Sequence, residues 1–132
     1  DHEAGSLVEN NFTAGTYQAL VDEIKKMQEI EFGENENGTY EKYPSGLLIC
    51  RQTVSVGMSE ETGALFRSDA QVWEFPHEFI SSDISVTFTT RVANRWGGTT
   101  GAINTDRVPY RIYGTTNTGE YPVILSAIGR WK

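Results

Sequence analysis

Leu47-Leu48-Ile49-Cys50-Arg51-Gln52-Thr53-Val54-Ser55-Val56 and Val123-Ile124-Leu125-Ser126-Ala127-Ile128-Gly129-Arg130-Trp131 decide the fold class. In the first stretch Leu48, Cys50, Val54 and Val56 alternate with Arg51, Thr53 and Ser55. In the second, Val123, Leu125, Ala127 and Trp131 run beside Ser126 and Arg130. An apolar period of two puts one face of an extended chain in a core and the other in water. The same alternation recurs at Val86, Phe88 and Val92, against Ser85, Thr87, Thr89 and Arg91, and at Val108, Tyr110 and Ile112 around Arg111. Shorter strands are expected over Thr39–Tyr43 and Gln71–Phe75. Turn chemistry separates these runs at Asn35–Gly38, Pro44-Ser45-Gly46, Gly57–Gly63, Gly97–Gly101 and Asn117–Gly119. Six or so short strands with no second helix imply a mostly β chain, an antiparallel β-sandwich or small barrel.

Upstream the period changes. Tyr17, Leu20, Val21, Ile24 and Met27 follow the 3–4 spacing of an amphipathic helix between Thr13 and Phe32. Thr13 or Thr16 can cap its start and Gly33 can end it. Written as heptads, Tyr17 and Ile24 occupy a while Leu20 and Met27 occupy d. That seam suits a parallel oligomer, but two heptads do not specify its size. The other reading is a helix lying on its own domain's sheet. Either way the chain divides into a lead-in with a short helical stalk, residues 1–33, and a β-sandwich, residues 34–132.

Charge follows the same division. The net charge is −7, and residues 1–36 carry nine acids against Lys25 and Lys26, while residues 37–132 carry nine acids and nine bases. With no basic surplus, nucleic acid is not an expected partner. No apolar run approaches the roughly 20 residues of a membrane-spanning helix, so membrane insertion is not expected either. A single cysteine, Cys50, excludes an internal disulfide and a cysteine zinc cluster; its place in the alternation gives it the role of a small buried hydrophobe.

Catalytic motifs are sparse. His2 and His77 lack metal-ligand spacing, and no nucleophile elbow, phosphate loop or calcium loop occurs. Glu74, Glu78 and Asp83 cluster in sequence, which is the raw material of a glycan-cleaving pair. Glu74, however, alternates with Trp73 and Phe75 as the wet side of a strand does. The expectation is a chain that binds without turnover, with no metal and no cofactor.

What remains is aromatic and polar surface. Arg95-Trp96-Gly97-Gly98-Thr99-Thr100 reads as a polar loop, in which an exposed Trp beside Arg can stack on a sugar or anchor a partner. The competing reading closes the sandwich with Trp96. Trp73 and Trp131 lie on strand patterns and are expected in a core or between subunits. Tyr113 and Tyr121 flank the Gly114–Gly119 turn, and with Arg111 and Asn117 they can form a second binding surface or a plain hairpin tip.

Three segments in order resemble the C-termini of bacteriophage and prophage tail fibres. They are Gly33-Glu34-Asn35-Glu36-Asn37-Gly38-Thr39-Tyr40-Glu41-Lys42-Tyr43-Pro44-Ser45-Gly46-Leu47-Leu48-Ile49-Cys50, then Phe75-Pro76-His77-Glu78-Phe79, then Ala127-Ile128-Gly129-Arg130-Trp131. The resemblance implies a homotrimeric fibre tip, one sandwich per chain, preceded by a fibre shaft. The stalk seam would then be Tyr17, Leu20, Ile24 and Met27. It further implies a part of a virion tail, made in the bacterial cytoplasm, that attaches to a surface glycan or outer-membrane protein. The motifs are scaffold signatures and carry no binding residues. Specificity is expected in Gly57–Gly63 and Arg95–Asp106, which match no family pattern. Candidate receptor contacts are Arg95, Trp96, Thr99, Thr100, Asn104, Arg111, Tyr113, Asn117 and Tyr121. The rival functions are a trimer-registering structural domain and a glycan-modifying tip enzyme.

Overall fold

A computed structural model describes residues 15–26 and 28–132. The chain divides into two units, Asp1–Ile30 and Glu31–Lys132. In the first, residues 15–26 and 28 are helical, and the Glu29 amide donates to the Lys25 carbonyl at 2.9 Å. Gln18 Nε2 donates to Asp22 Oδ1 at 2.9 Å across one turn. Tyr17, Leu20 and Ile24 are all exposed. Met27, the fourth residue of the expected seam, and the lead-in through residue 14 lie outside the described residues.

The second unit holds ten strands: β1 (Glu31–Asn35), β2 (Gly38–Lys42), β3 (Leu47–Val56), β4 (Glu60–Thr62), β5 (Leu65–Arg67), β6 (Gln71–Glu74), β7 (Ser85–Thr90), β8 (Arg95–Thr99), β9 (Arg107–Gly114) and β10 (Tyr121–Arg130). One sheet runs β1-β2-β3-β10-β7. The other runs β4-β5-β9-β6, with β8 paired to β9. Every pairing is antiparallel. The two stretches that decide the fold class form its longest ladder, from Leu47↔Arg130 to Val56↔Tyr121. Their alternate residues Leu48, Cys50 and Val56, with Val123, Leu125 and Ala127, face Val108, Tyr110 and Ile112 of β9 and Trp73 of β6 across the core. Each such side chain contributes roughly 1.5–3 kcal/mol by leaving water, apart from the smaller Ala127 and Cys50.

The helical spacing over-extends at its C-terminal end. Glu31–Phe32 are already strand, because β1 pairs with β2 from Glu31↔Lys42 to Asn35↔Gly38. Gly33 ends no helix. It pairs with Tyr40, and a Cβ there would fall 2.1 Å from the Tyr40 ring, so its bare backbone is the surface on which that ring lies. The strand count rises from six to ten for a related reason: β1, β4 and β8 are short or glycine-bearing edge pieces and β5 has only three residues, so none shows much alternation of its own.

The three family-like segments meet in space. Asn35 Nδ2 donates to the Pro76 carbonyl at 2.8 Å. Phe79 crosses Gly129, where a Cβ would lie 2.8 Å from the ring. Trp131, just past the end of β10, donates its amide to the Gly46 carbonyl and Nε1 to the Tyr43 carbonyl, at 2.9 and 2.8 Å. Gly46 has φ 103°, a left-handed geometry that only glycine adopts without strain. Trp73, Phe75 and Phe79 continue the packing edge to face, with centroids 5.1 and 5.0 Å apart.

Candidate receptor-binding face

Residues opposite each other in an antiparallel ladder share a face. Glu60 lies opposite Arg67, Arg67 opposite Tyr113, and Tyr113 opposite Trp96. One row therefore crosses β4, β5, β9 and β8 on the outer surface of the second sheet. The next row along β9 carries Arg111 opposite Gly98. Inward-facing neighbours confirm the parity: Ile112, between Arg111 and Tyr113, has no exposed surface.

Trp96 and Tyr113 stack with ring planes 18° apart and centroids at 6.4 Å, and Trp96 remains 43% exposed. Beside them Arg67 Nε and Arg111 Nη1 converge on one oxygen, Glu60 Oε2, at 2.7 and 2.9 Å. Arg111 Nη1 also reaches the Ser68 carbonyl at 3.2 Å. These guanidiniums, Arg111 first and then Arg67, hold the Glu60 carboxyl below its ordinary value. Glu60 therefore holds its charge, and its pairing with both, to lower pH than a free glutamate does. Gly98 leaves a bare patch: a Cβ on it would meet nothing within 4 Å. Gly97 is bare for the opposite reason, since a Cβ there would strike Phe88 at 2.6 Å and Ile112 at 2.9 Å.

Arg95-Trp96-Gly97-Gly98-Thr99 is thus a strand and not a loop, and that separates Arg95 from Trp96. Adjacent strand residues point to opposite faces. Arg95 faces inward and is 4% exposed. Its Nη2 donates to the Thr118 and Gly119 carbonyls at 2.7 and 2.8 Å, and its Nη1 to the Val56 carbonyl at 3.2 Å. Its guanidinium also covers the Tyr121 ring at 4.5 Å. Arg95 and Tyr121 therefore hold the β9–β10 turn and stand apart from the Trp96 face. Asn117 is exposed on that turn, while Asn94 Nδ2 ties it to β8 through Thr116 Oγ1 at 3.2 Å. Thr99, Thr100 and Asn104 are exposed at the far end of β8 and in the loop that follows it.

Of the sequence candidates, the fold unites Trp96, Tyr113 and Arg111. It adds Glu60 and Arg67, which the sequence reading missed. Their signal was present: Gly63, at φ 65°, and Ala64 form a two-residue turn, which sets Glu60 opposite Arg67. The segments Gly57–Gly63 and Arg95–Asp106 each contribute to this face, Glu60 from one and Trp96 from the other. Elsewhere Glu74 is exposed on β6 with Arg107 Nη1 3.9 Å away, and Glu78 Oε1 accepts from Thr105 Oγ1 at 3.0 Å. Asp83 is exposed. His77 lies against Tyr40 with centroids 5.1 Å apart.

No protein-family model matches this chain, and no curated protein matches it. A solved structure does. The C-terminal part of the R1 pyocin fibre of P. aeruginosa aligns with a TM-score of 0.51 at 15% identity, over 76% of this chain and 28% of that one. The fold is similar to that of a pyocin fibre. The tail-fibre resemblance carried by the sequence motifs thus has a counterpart in three dimensions. At 15% identity the shared property is the fold, and the chain spans little more than a quarter of the pyocin fibre chain. In this pyocin-fibre-like fold the aromatic row lies on the second sheet, away from the Gly129–Phe79 and Gly46–Trp131 contacts that join the motif segments.

Proposed function

We propose that this chain is the tip of a phage-like tail fibre and attaches the particle to a bacterial surface receptor, a glycan or an outer-membrane protein. The observation that carries the reading is the exposed Trp96–Tyr113 pair beside Arg67, Arg111 and Glu60, on a sheet whose fold is similar to a pyocin fibre's. A partly exposed indole offers a flat apolar surface, and the guanidiniums and carboxylate offer directional hydrogen bonds beside it. Binding is non-covalent and involves no turnover. Three copies act together, joined at the Tyr17, Leu20 and Ile24 stripe, which is exposed in the single chain. Several weak contacts then become firm attachment through their high effective concentration.

The test is competition. The purified chain is expected to block adsorption of the parent particle to its host, and Trp96→Ala is expected to weaken that block strongly while the protein stays folded. A folded chain that never competes would place recognition in another part of the fibre and leave this domain a structural role. Shortening of a surface polysaccharide on incubation with the chain would favour a glycan-modifying enzyme instead.

A further inference from the structure

The reading above leaves the receptor's chemistry open, and the charges beside Trp96 narrow it. The outward rows of the second sheet carry Arg67, Arg107 and Arg111 against Glu60 and Glu74. Arg107 is already matched by acids, with Asp106 Oδ2 3.0 Å from its Nη2 and Glu74 Oε1 3.9 Å from its Nη1, so it adds no excess charge. Glu60 alone faces both Arg67 and Arg111, and both point at the same carboxylate oxygen. Two guanidiniums sharing one carboxylate leave one positive charge in excess. A guanidinium has five donors, so each retains N–H groups that Glu60 does not use. On a chain of net charge −7 this is a local reversal of sign.

Geometry places the excess charge where a sugar would lie. Arg111 is directly opposite Gly98, and Gly98 follows Trp96 by two residues on the same face. The missing side chain at Gly98 opens the sheet surface between the indole and Arg111. A pyranose resting on Trp96 and Tyr113 would extend over this bare backbone toward Arg111. Carboxylates and phosphates are the groups that a planar guanidinium fork recognises best.

We infer that this face takes an anionic saccharide, a pyranose bearing a carboxylate or a phosphate, with its apolar face on Trp96 and Tyr113 and its negative group at Arg111 and Arg67. This inference rests on the receptor-binding reading and adds the class of ligand. Discrimination comes from the arginines and stacking from the aromatic pair, so substitutions separate the two. Arg67→Gln weakens the charged ligand and spares a neutral one, whereas Trp96→Ala weakens both. Arg67 serves better than Arg111 for this, because Arg111 also ties down the Ser68 carbonyl.

The experiment titrates the full chain with galacturonic acid trimer, with the matching neutral galactose trimer, and with mannose 6-phosphate, following indole fluorescence or amide chemical shifts. The expected result is binding of the trigalacturonate, the sugar phosphate or both. It should be about tenfold tighter than the neutral trimer, weaken with added salt, and lose that advantage in Arg67→Gln. Which charged ligand binds separates a uronate from a phosphate receptor. Equal binding of neutral and charged sugars, or an advantage that survives Arg67→Gln, overturns the inference. If no sugar binds although Trp96→Ala strongly weakens adsorption to cells, the anionic-saccharide class is wrong and the receptor reading stands. If no sugar binds and Trp96→Ala leaves adsorption unchanged, both fall.

Discussion

Ser68 and Ile112 exchange two hydrogen bonds: the Ser68 amide donates to the Ile112 carbonyl at 2.8 Å, and the Ile112 amide donates to Ser68 Oγ at 3.0 Å. A hydroxyl here takes the place of a strand carbonyl. It fills the gap between β5 and β6, so that both can run along one edge of β9. Ser68 has no exposed surface, and its neighbour Arg67 is thereby held opposite Tyr113. Ser68→Ala leaves the Ile112 amide without a partner in the core. The expected cost is about 1–3 kcal/mol of stability, read as a lower melting temperature. Unchanged melting would mean that the splice is not needed.

Arg95 carries a different prediction. Its guanidinium supplies the bonds to Val56, Thr118 and Gly119, so Arg95→Met should cost at least about 2 kcal/mol. Limited proteolysis of the variant should cut first near Thr118–Gly119. Faster receptor dissociation with stability intact would instead make Arg95 a direct contact.

Trp96→Ala should act in the reverse sense. An indole 43% exposed contributes little to the core, so the melting temperature should move by only a few degrees. Adsorption should fall about thirtyfold if Trp96 is a binding anchor. Unfolding of this variant would place Trp96 in the sandwich's own support.

Assembly is checked by light scattering. The purified chain is expected at three times its 14.7 kDa mass. Leu20→Asp is expected to weaken the stalk and leave the sandwich folded. A monodisperse monomer for the parent chain would remove the trimer from the proposal.

Cys50 offers a pH test. Burial pushes its thiol up to about 12 from an ordinary value near 9. The folded state therefore holds its proton longer than the unfolded chain does. Its contribution to stability is complete below about pH 9 and is lost as pH rises from there through about 12. A thiol reagent at pH 8 should label Cys50 only as fast as the core opens. Rapid labelling of the native protein would contradict its burial.

The sandwich was legible because a strand's period of two is a property of consecutive residues, and β3, β9 and β10 each display it in eight or more. The scaffold motifs were legible for a similar reason. Gly46, Gly129 and Trp131 are placed by local turn geometry and by close backbone approach. Where alternation is short the reading failed. Glu31–Phe32 passed as the end of a helix, and β8 passed as a loop because two glycines interrupt it.

The face that carries Trp96 was legible only in part. Sequence determined that the chain is β-rich and that its negative charge is concentrated before residue 37, and it offered Trp96, Tyr113 and Arg111 among several candidates for binding. Only tertiary structure decided that Glu60 and Arg67 join them, and that Arg95, next to Trp96 in the chain, turns inward. The physical reason is register. Which residues of four strands stand in one row depends on pairings between segments up to about fifty residues apart, and one shift of register moves every side chain to the other face.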